Sequence, residues 1–359
     1  MKVSNIIRCL IAVSLFCYAC GNPYEVDIPH WDYEDEDDKG ENDGNSGDSG
    51  TDGKEYPVKY PEAGVAKVKT LQTTGYFRET KIKDGIIHYS LFGKEDVSGT
   101  YQNVNVLEVD LNNEAYKINF LFCGSDTTSA VGKRMKAIAA INACYEQDAI
   151  YCRTNGYNHA QVTLDPDHLR FWKHEAAIVG DGKRKVGIVH GAKGAKNIKE
   201  GGIQAIEIYK SLTEKNIFAS APMLIDNYEP VGASFVPSQY SSKDLNSFDG
   251  EDYRRHQGVR HPRVAVALTE DNDLLFIVVD GRFSGKAEGM SAKELTNFIA
   301  KHFNPQWAIN MDGGGSSTMY INGYGDPVTN VLNYPCDNKK WDHYGQRARP
   351  TFFLVQYDE

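Results

Sequence analysis

Two carboxylates in the C-terminal third are each delivered by an apolar run to a point where glycine frees the backbone. One is Asp280, in Val278-Val279-Asp280-Gly281-Arg282. The other is Asp312, in Asn310-Met311-Asp312-Gly313-Gly314-Gly315-Ser316-Ser317. Carboxylates held close together push their pKa values apart, which suits acid/base or nucleophilic work on a glycosidic bond. Arg263, Arg282 and Arg347 carry planar donor forks that fit a phosphate or a carboxylate. Asn142, His261, Ser316 and Ser317 could bond sugar hydroxyls or phosphate oxygens, and the N–H groups around Gly313 and Gly314 could hold an anion. Three glycines in a row would also leave a substrate room to approach the main chain. The set reads as a hydrolytic site for a sugar bearing an anionic group, with Asp280 and Asp312 as the catalytic pair.

Each piece has a plainer use. Asp280-Gly281 alone is an ordinary turn. The arginines could pair with the aspartates as a structural ion network, and Asn142 could cap a turn. The glycine run lacks the Gly-Lys-Ser/Thr of a phosphate-binding loop, which argues against a nucleotide site. Asp280 or Asp312 could ligate a divalent cation such as calcium, but the chain presents no full ligand set, and hydrolysis of this kind requires no cofactor.

The elements that must position these residues are legible nearby. Arg263–Leu268 and Leu274–Val279 are apolar runs joined by the polar turn Thr269–Asp273, which predicts a hairpin. It brings His261 and Arg263 beside Asp280 and Arg282. Ser291 and Glu294 form a capping box that opens a helix over Ala292–Phe303. Pro305 stops it, and Trp307–Met311 follows as a strand. Strand, helix, strand predicts a parallel pair with Asp280 and Asp312 at one sheet edge.

Upstream, Val104–Leu111 alternates with period two, Tyr116–Phe122, Ala176–Val179, Val186–Val189, Ile203–Tyr209 and Phe218–Ile225 read as further short strands, and Lys136–Ile141 as a buried strand or helix end. Residues 232–260 read as an irregular loop. The fold class expected is α+β: a mixed, strand-rich sheet with few helices and a parallel βαβ unit near the C-terminus.

The first part of the chain has another character. Lys2 and Arg8 precede a short apolar run ending in Cys17-Tyr18-Ala19-Cys20. A small residue before cysteine resembles a bacterial lipobox, with Cys20 the lipidated residue and 1–20 a signal peptide. Tyr18 and Cys17 depart from that motif, and ordinary secretory cleavage nearby is the alternative. Residues 21–56 are an acidic tract expected to be a disordered tether, leaving 57–359 as the catalytic domain. The net charge of -10 is local: residues 25–55 hold thirteen acids and two lysines, so the remainder balances at +1. Such a body argues against a nucleic-acid partner. The expected location is the periplasm or cell surface, tethered to the membrane through Cys20. Export also permits disulfides among Cys123, Cys144, Cys152 and Cys336, whose pairing the spacing does not choose.

The segment Asn310–Met319 resembles the signature of the phosphodiester glycosidase family. The resemblance extends to Ala140-Ile141-Asn142, His261-Pro262-Arg263, Asp280-Gly281-Arg282 and Gly289-Met290, and covers roughly residues 104–355. It implies a mixed α/β fold and cleavage of a glycosyl–phosphate linkage. Three places depart from the family pattern: Asn142-Ala143-Cys144-Tyr145, Ser220-Ala221-Pro222, and a longer stretch from Thr329 to Arg347. They bear on which substrate is taken. A glycosidase of non-phosphorylated glycans and a surface glycan-binding lipoprotein without activity are the other readings.

Overall fold

The computed structural model describes residues 57–61, 76–145, 150–159, 166–233 and 240–358. The expected signal peptide, with Cys20, and the expected tether lie outside the described residues. Among those described, no helix is long and apolar enough to cross a membrane.

The central element is a seven-stranded sheet in the order Arg78–Lys83, Ile86–Lys94, Tyr101–Asp110, Asp273–Val279, Arg263–Leu268, Trp307–Met311, Met223–Asp226. The expected hairpin is present, with Arg263 opposite Val279 and Leu268 opposite Leu274. The parallel βαβ unit is not. Every neighbouring pair in the sheet is antiparallel. Strand 263–268 lies between 273–279 and 307–311 and runs opposite to both, so those two share a direction without touching. The 11-residue helix Ala292–His302 therefore spans two inter-strand gaps, ~10 Å in all. Asp280 and Asp312 still emerge at one edge, on either side of the start of strand 263–268.

Why the strands read as unbroken apolar runs is now plain, because both sheet faces are covered. Alternate residues Val264, Val266, Leu274, Phe276, Val278, Ile309 and Met311 pack with Phe120, Ile141 and Phe353. Their neighbours Ala265, Ala267, Leu275, Ile277, Val279 and Ala308 pack on Leu295, Phe298 and Ile299 of the helix. Both helix-opening capping-box contacts are made by Ser291 and Glu294. Opposite the helix lie two smaller antiparallel sheets. One joins Met319–Ile321, Ala139–Asn142, Arg349–Tyr357 and Tyr116–Asp126. The other joins Tyr157–Asn158, Cys152–Thr154, Asn216–Ser220, Ala176–Gly180 and Val186–Val189.

Two local expectations fail. Ile203–Tyr209 belongs to the helix Ile198–Ser211, capped by Asn197, whose buried residues Gly201, Gly202, Ala205, Ile206 and Tyr209 follow a helical repeat. Within 232–260 the chain forms two short helices, Ser242–Ser247 and Tyr253–Gly258, each started by a side-chain cap from Ser241 or Asp252. The four cysteines are free thiols.

A charged network ties the smaller sheet to the central one. His190 Nδ1 lies 3.0 Å from Asp226 Oδ2, its Nε2 lies 3.7 Å from Glu175, and Lys193 also reaches Asp226. Burial opposes charging of His190, but the two carboxylates outweigh it and push its pKa up to about 9. A group raised above its unfolded value of about 6.5 contributes stability that is fully present below pH 6.5 and is lost as pH rises through 9. His190→Ala should therefore cost about 2 kcal/mol at pH 6, with a smaller gap at pH 9.5. Melting curves at the two pH values check this, and an equal gap at both would remove the charge argument.

Candidate active site

The turn after Asp312 is held from several directions. Asn142, at the end of its strand, donates from Nδ2 to the Asp312 carbonyl at 2.7 Å and accepts from Thr318 N–H at 3.1 Å. The N–H of Gly314 goes to Pro262 O, Ser316 N–H to Gly313 O and Ser317 N–H to Gly314 O. Those three amides are spent within the protein.

At Gly313 and Gly315 the close approach is made by the chain itself. A Cβ on Gly313 would lie 2.5 Å from Pro262 O, and one on Gly315 would lie 2.4 Å from Asp337 Oδ1 and 3.0 Å from Arg347 Nη2. Gly314 has φ +64°, the left-handed region that favours glycine. Beside Gly313 and Gly315 the space is taken by the chain's own backbone and side chains.

Asp280 is the buried centre of the edge. Its oxygens accept from Asn103 Nδ2 at 2.6 Å, Asn333 Nδ2 at 2.7 Å and Tyr334 N–H at 2.8 Å, and it is 1% exposed. Asn333 also bonds Ser317 O and accepts from Met319 N–H, so Asp280 fixes the far end of the turn that Asn142 fixes at the near end. Burial raises the Asp280 pKa to about 6, against the three donors and His343, which lower it.

The remaining predicted residues divide. Arg263 is 1% exposed and donates to the carbonyls of Met290, His256 and Val259. Burial pushes its pKa down to about 10. Asn142 and Arg263 thus shape the site from beneath, and neither offers its bonded groups to a ligand. Both were expected at the substrate because their strand ends point there, and burial is what a linear sequence hides.

His261 is held neutral: burial first, then the Arg282, Arg263 and Arg255 guanidiniums, press its pKa well down. Arg282, at φ +67°, reaches over Gly314 and faces Cys336 Sγ at 3.8 Å. Arg347 pairs with Asp337 at 2.9 Å and donates its backbone N–H to Gly315 O.

Sequence reasoning missed Arg349. Its Nε stands 3.0 Å from Asp312 Oδ2, both side chains being 12% exposed. It also missed Asn103 and Asn333. On the turn that follows Asp312, on its partner Arg349 and on His261, buried polar atoms have no hydrogen-bond partner among the described residues: Ser316 Oγ, Ser317 Oγ, Thr318 Oγ1, Arg349 Nη2 and His261 Nδ1. Each such group costs about 1–3 kcal/mol if left dry, and a cluster of five is a mark of function.

For cations the edge is poorly suited, since both Asp280 oxygens already receive N–H donors. Among the described residues, Glu95, Asp96 and His302 bring one ligand atom each within 4.8 Å of one another. That group sits at the other end of helix 292–302, ~16 Å along its axis.

The profile of the phosphodiester glycosidase family matches residues 136–356. The chain belongs to that family. No curated protein matches the sequence. Among solved structures, a hypothetical protein from Synechocystis is similar at TM-score 0.49 and 13% identity, covering 79% of this chain and 64% of that one. This phosphodiester glycosidase family member thus spans slightly under two thirds of the Synechocystis chain. The catalytic domain of zebrafish N-acetylglucosamine-1-phosphodiester alpha-N-acetylglucosaminidase, auto-inhibited by its pro-peptide, is similar at TM-score 0.49 and 16% identity, covering 84% of this chain and 88% of that one. The family profile begins at 136, so Asn103 and the first three strands of the central sheet precede it.

Proposed function

We propose that this protein is an exported, membrane-tethered hydrolase that cleaves a glycosyl phosphodiester, releasing a sugar and a phosphomonoester. The observation that carries the reading is the set of buried, unpartnered polar atoms on Ser316, Ser317 and Thr318, which follow Asp312, and on Arg349, which pairs with it. Hydroxyls and a guanidinium awaiting acceptors suit an oxyanion-rich ligand. Family membership supports the same chemistry.

Asp312 is assigned the anomeric centre, as base for the attacking water or as stabiliser of the developing sugar cation. The bond between C1 and the bridging phosphate oxygen breaks, and water supplies the new oxygen. A phosphomonoester leaves readily without a strong general acid, which fits a site where one of the two carboxylates, Asp280, is held by three donors. Asp280 acts as a positioning residue that shapes the turn. Arg349, Arg282 and Arg347 offset the phosphate charge, with Ser316 and Ser317 as hydroxyl partners. Residues 57–359 are the catalytic unit, and Cys20 the lipid-bearing residue.

Assaying sugar release across a panel of sugar phosphodiesters and matched p-nitrophenyl glycosides tests this. Arg349→Ala should lower kcat/KM on a phosphodiester about 10–100-fold, the worth of one or two charge-assisted contacts, and change the plain glycoside far less. Equal losses on both would favour a glycosidase of non-phosphorylated glycans.

A further inference from the structure

Helix 292–302 ends on a buried histidine that the chemistry at Asp312 does not use. His302 is 3% exposed, and neither ring nitrogen has a hydrogen-bond partner among the described residues. Tyr76 stacks on the ring with centroids 4.5 Å apart, and Phe77 and Phe298 stand 5.4 and 4.8 Å from it. Its Nε2 is aimed at two carboxylates, 3.8 Å from Glu95 Oε1 and 3.9 Å from Asp96 Oδ1. Both gaps exceed hydrogen-bonding distance.

Glu95 is wholly buried and accepts from three neutral donors: the Tyr76 hydroxyl at 3.1 Å and the N–H groups of Val97 and Ser98 at 2.8 and 2.7 Å. The Lys301 ammonium goes to Asp96 instead, through Oδ2, which leaves Oδ1 turned toward His302 and Tyr76. A buried carboxylate and a buried imidazole that face each other across such a gap call for a cation or a water between them.

The width of the gap selects among ions. Ligand atoms ~2.1 Å from a tetrahedral ion lie ~3.4 Å apart, and neighbours around an octahedral ion at that bond length lie ~3.0 Å apart. The observed 3.8 and 3.9 Å need to close by only about 0.5 Å for the tetrahedral case. An imidazole beside two carboxylates also suits zinc better than calcium or magnesium, which seek oxygen.

We propose that Glu95, Asp96 and His302 bind one zinc ion, with solvent in the fourth position. The ion clamps the turn after strand Ile86–Lys94 and the segment Tyr76–Phe77 onto the end of helix 292–302. Its outer partners are in place: the Val97 and Ser98 amides hold Glu95, Lys301 holds Asp96, and three aromatic rings hold His302. Glu95 and Asp96 precede residue 136, where the family profile begins, so the site lies partly outside it. It is independent of the hydrolase reading and stands if that reading fails.

The full-length protein, stripped with a chelator and titrated with zinc against a chromophoric chelator, should take up one zinc per chain. Zinc at 100-fold over its Kd should raise the melting temperature by about 5 °C. His302→Gln and, separately, Asp96→Asn should each weaken uptake at least about tenfold and abolish the shift. The Asp96 side chain is 54% exposed, so Asp96→Asn keeps the fold and decides even where His302→Gln does not. X-ray absorption of the zinc-loaded protein should show nitrogen and oxygen at ~2.0–2.1 Å and no sulfur at ~2.3 Å. No uptake by the wild type, uptake unchanged in Asp96→Asn, or sulfur in the shell overturns the site, leaving a bridging water between the three side chains. A melting shift given by calcium or magnesium and not by zinc, lost in the same variants, overturns zinc in favour of an oxygen-seeking cation.

Discussion

Asp312→Asn should lower turnover of an accepted sugar phosphodiester by about 10²–10⁴-fold, the range that a positioned carboxylate supplies in acid/base catalysis. Asparagine keeps the shape and removes the charge, so the change tests charge alone. KM should move little, because the arginines and hydroxyls that would hold the phosphate stay in place. Arg349 complicates the experiment in a useful way. With Asp312 neutral, a guanidinium only 12% exposed loses its counter-charge, which should cost about 1–3 kcal/mol of stability. Melting curves separate that loss from the kinetic one. Turnover equal to wild type in a folded Asp312→Asn variant would remove the carboxylate from the chemistry.

What was legible beforehand follows a physical division. Strand runs, the 263–279 hairpin and the Ser291 capping box are set by neighbours a few residues apart, so their pattern is written locally. Asp280 and Asp312 were placed at one edge because each ends such a run. The wrong step was adjacency. Eleven helical residues fix how far the chain can travel, and nothing local says that strand 263–268 fills the gap between 273–279 and 307–311. Ile203–Tyr209 misled for a related reason, since Ile203, Ile206 and Ile208 fit a strand run until the Asn197 cap and the buried Gly202, Ala205 and Ile206 reveal a helix.

Arg349, Asn103 and Asn333 were invisible because their meaning is entirely long-range. Asn103 and Asn333 lie 177 and 53 residues from the carboxylate they share. The glycines were read correctly as positions of close approach. Only the occupant differed, Pro262 and Asp337 in place of a ligand.

Asp280→Ala should be among the most destabilising single changes in the edge. It removes one acceptor from three donors at once, the amides of Asn103 and Asn333 and the N–H of Tyr334. Each orphaned donor costs about 1–3 kcal/mol, so a total of about 3–5 kcal/mol is expected once water relieves part of it. Asp280→Asn should be gentler and more informative about pH. In the folded protein burial raises this carboxyl to about 6, above its unfolded value of about 3.9. A folded state that holds the proton more tightly than the unfolded one gains stability as pH falls from 6 toward 4, and pays for ionisation above 6. The span corresponds to about 3 kcal/mol at most. Melting temperature plotted against pH should carry this slope in the wild type and lose it in Asp280→Asn. Activity should run the other way. Protonation takes an acceptor from the cage that sets the 312–318 turn, so kcat/KM should fall below pH 6, and Asp280→Asn should flatten that limb. An acid limb identical in the variant would assign it to another group and return Asp280 to a purely structural part.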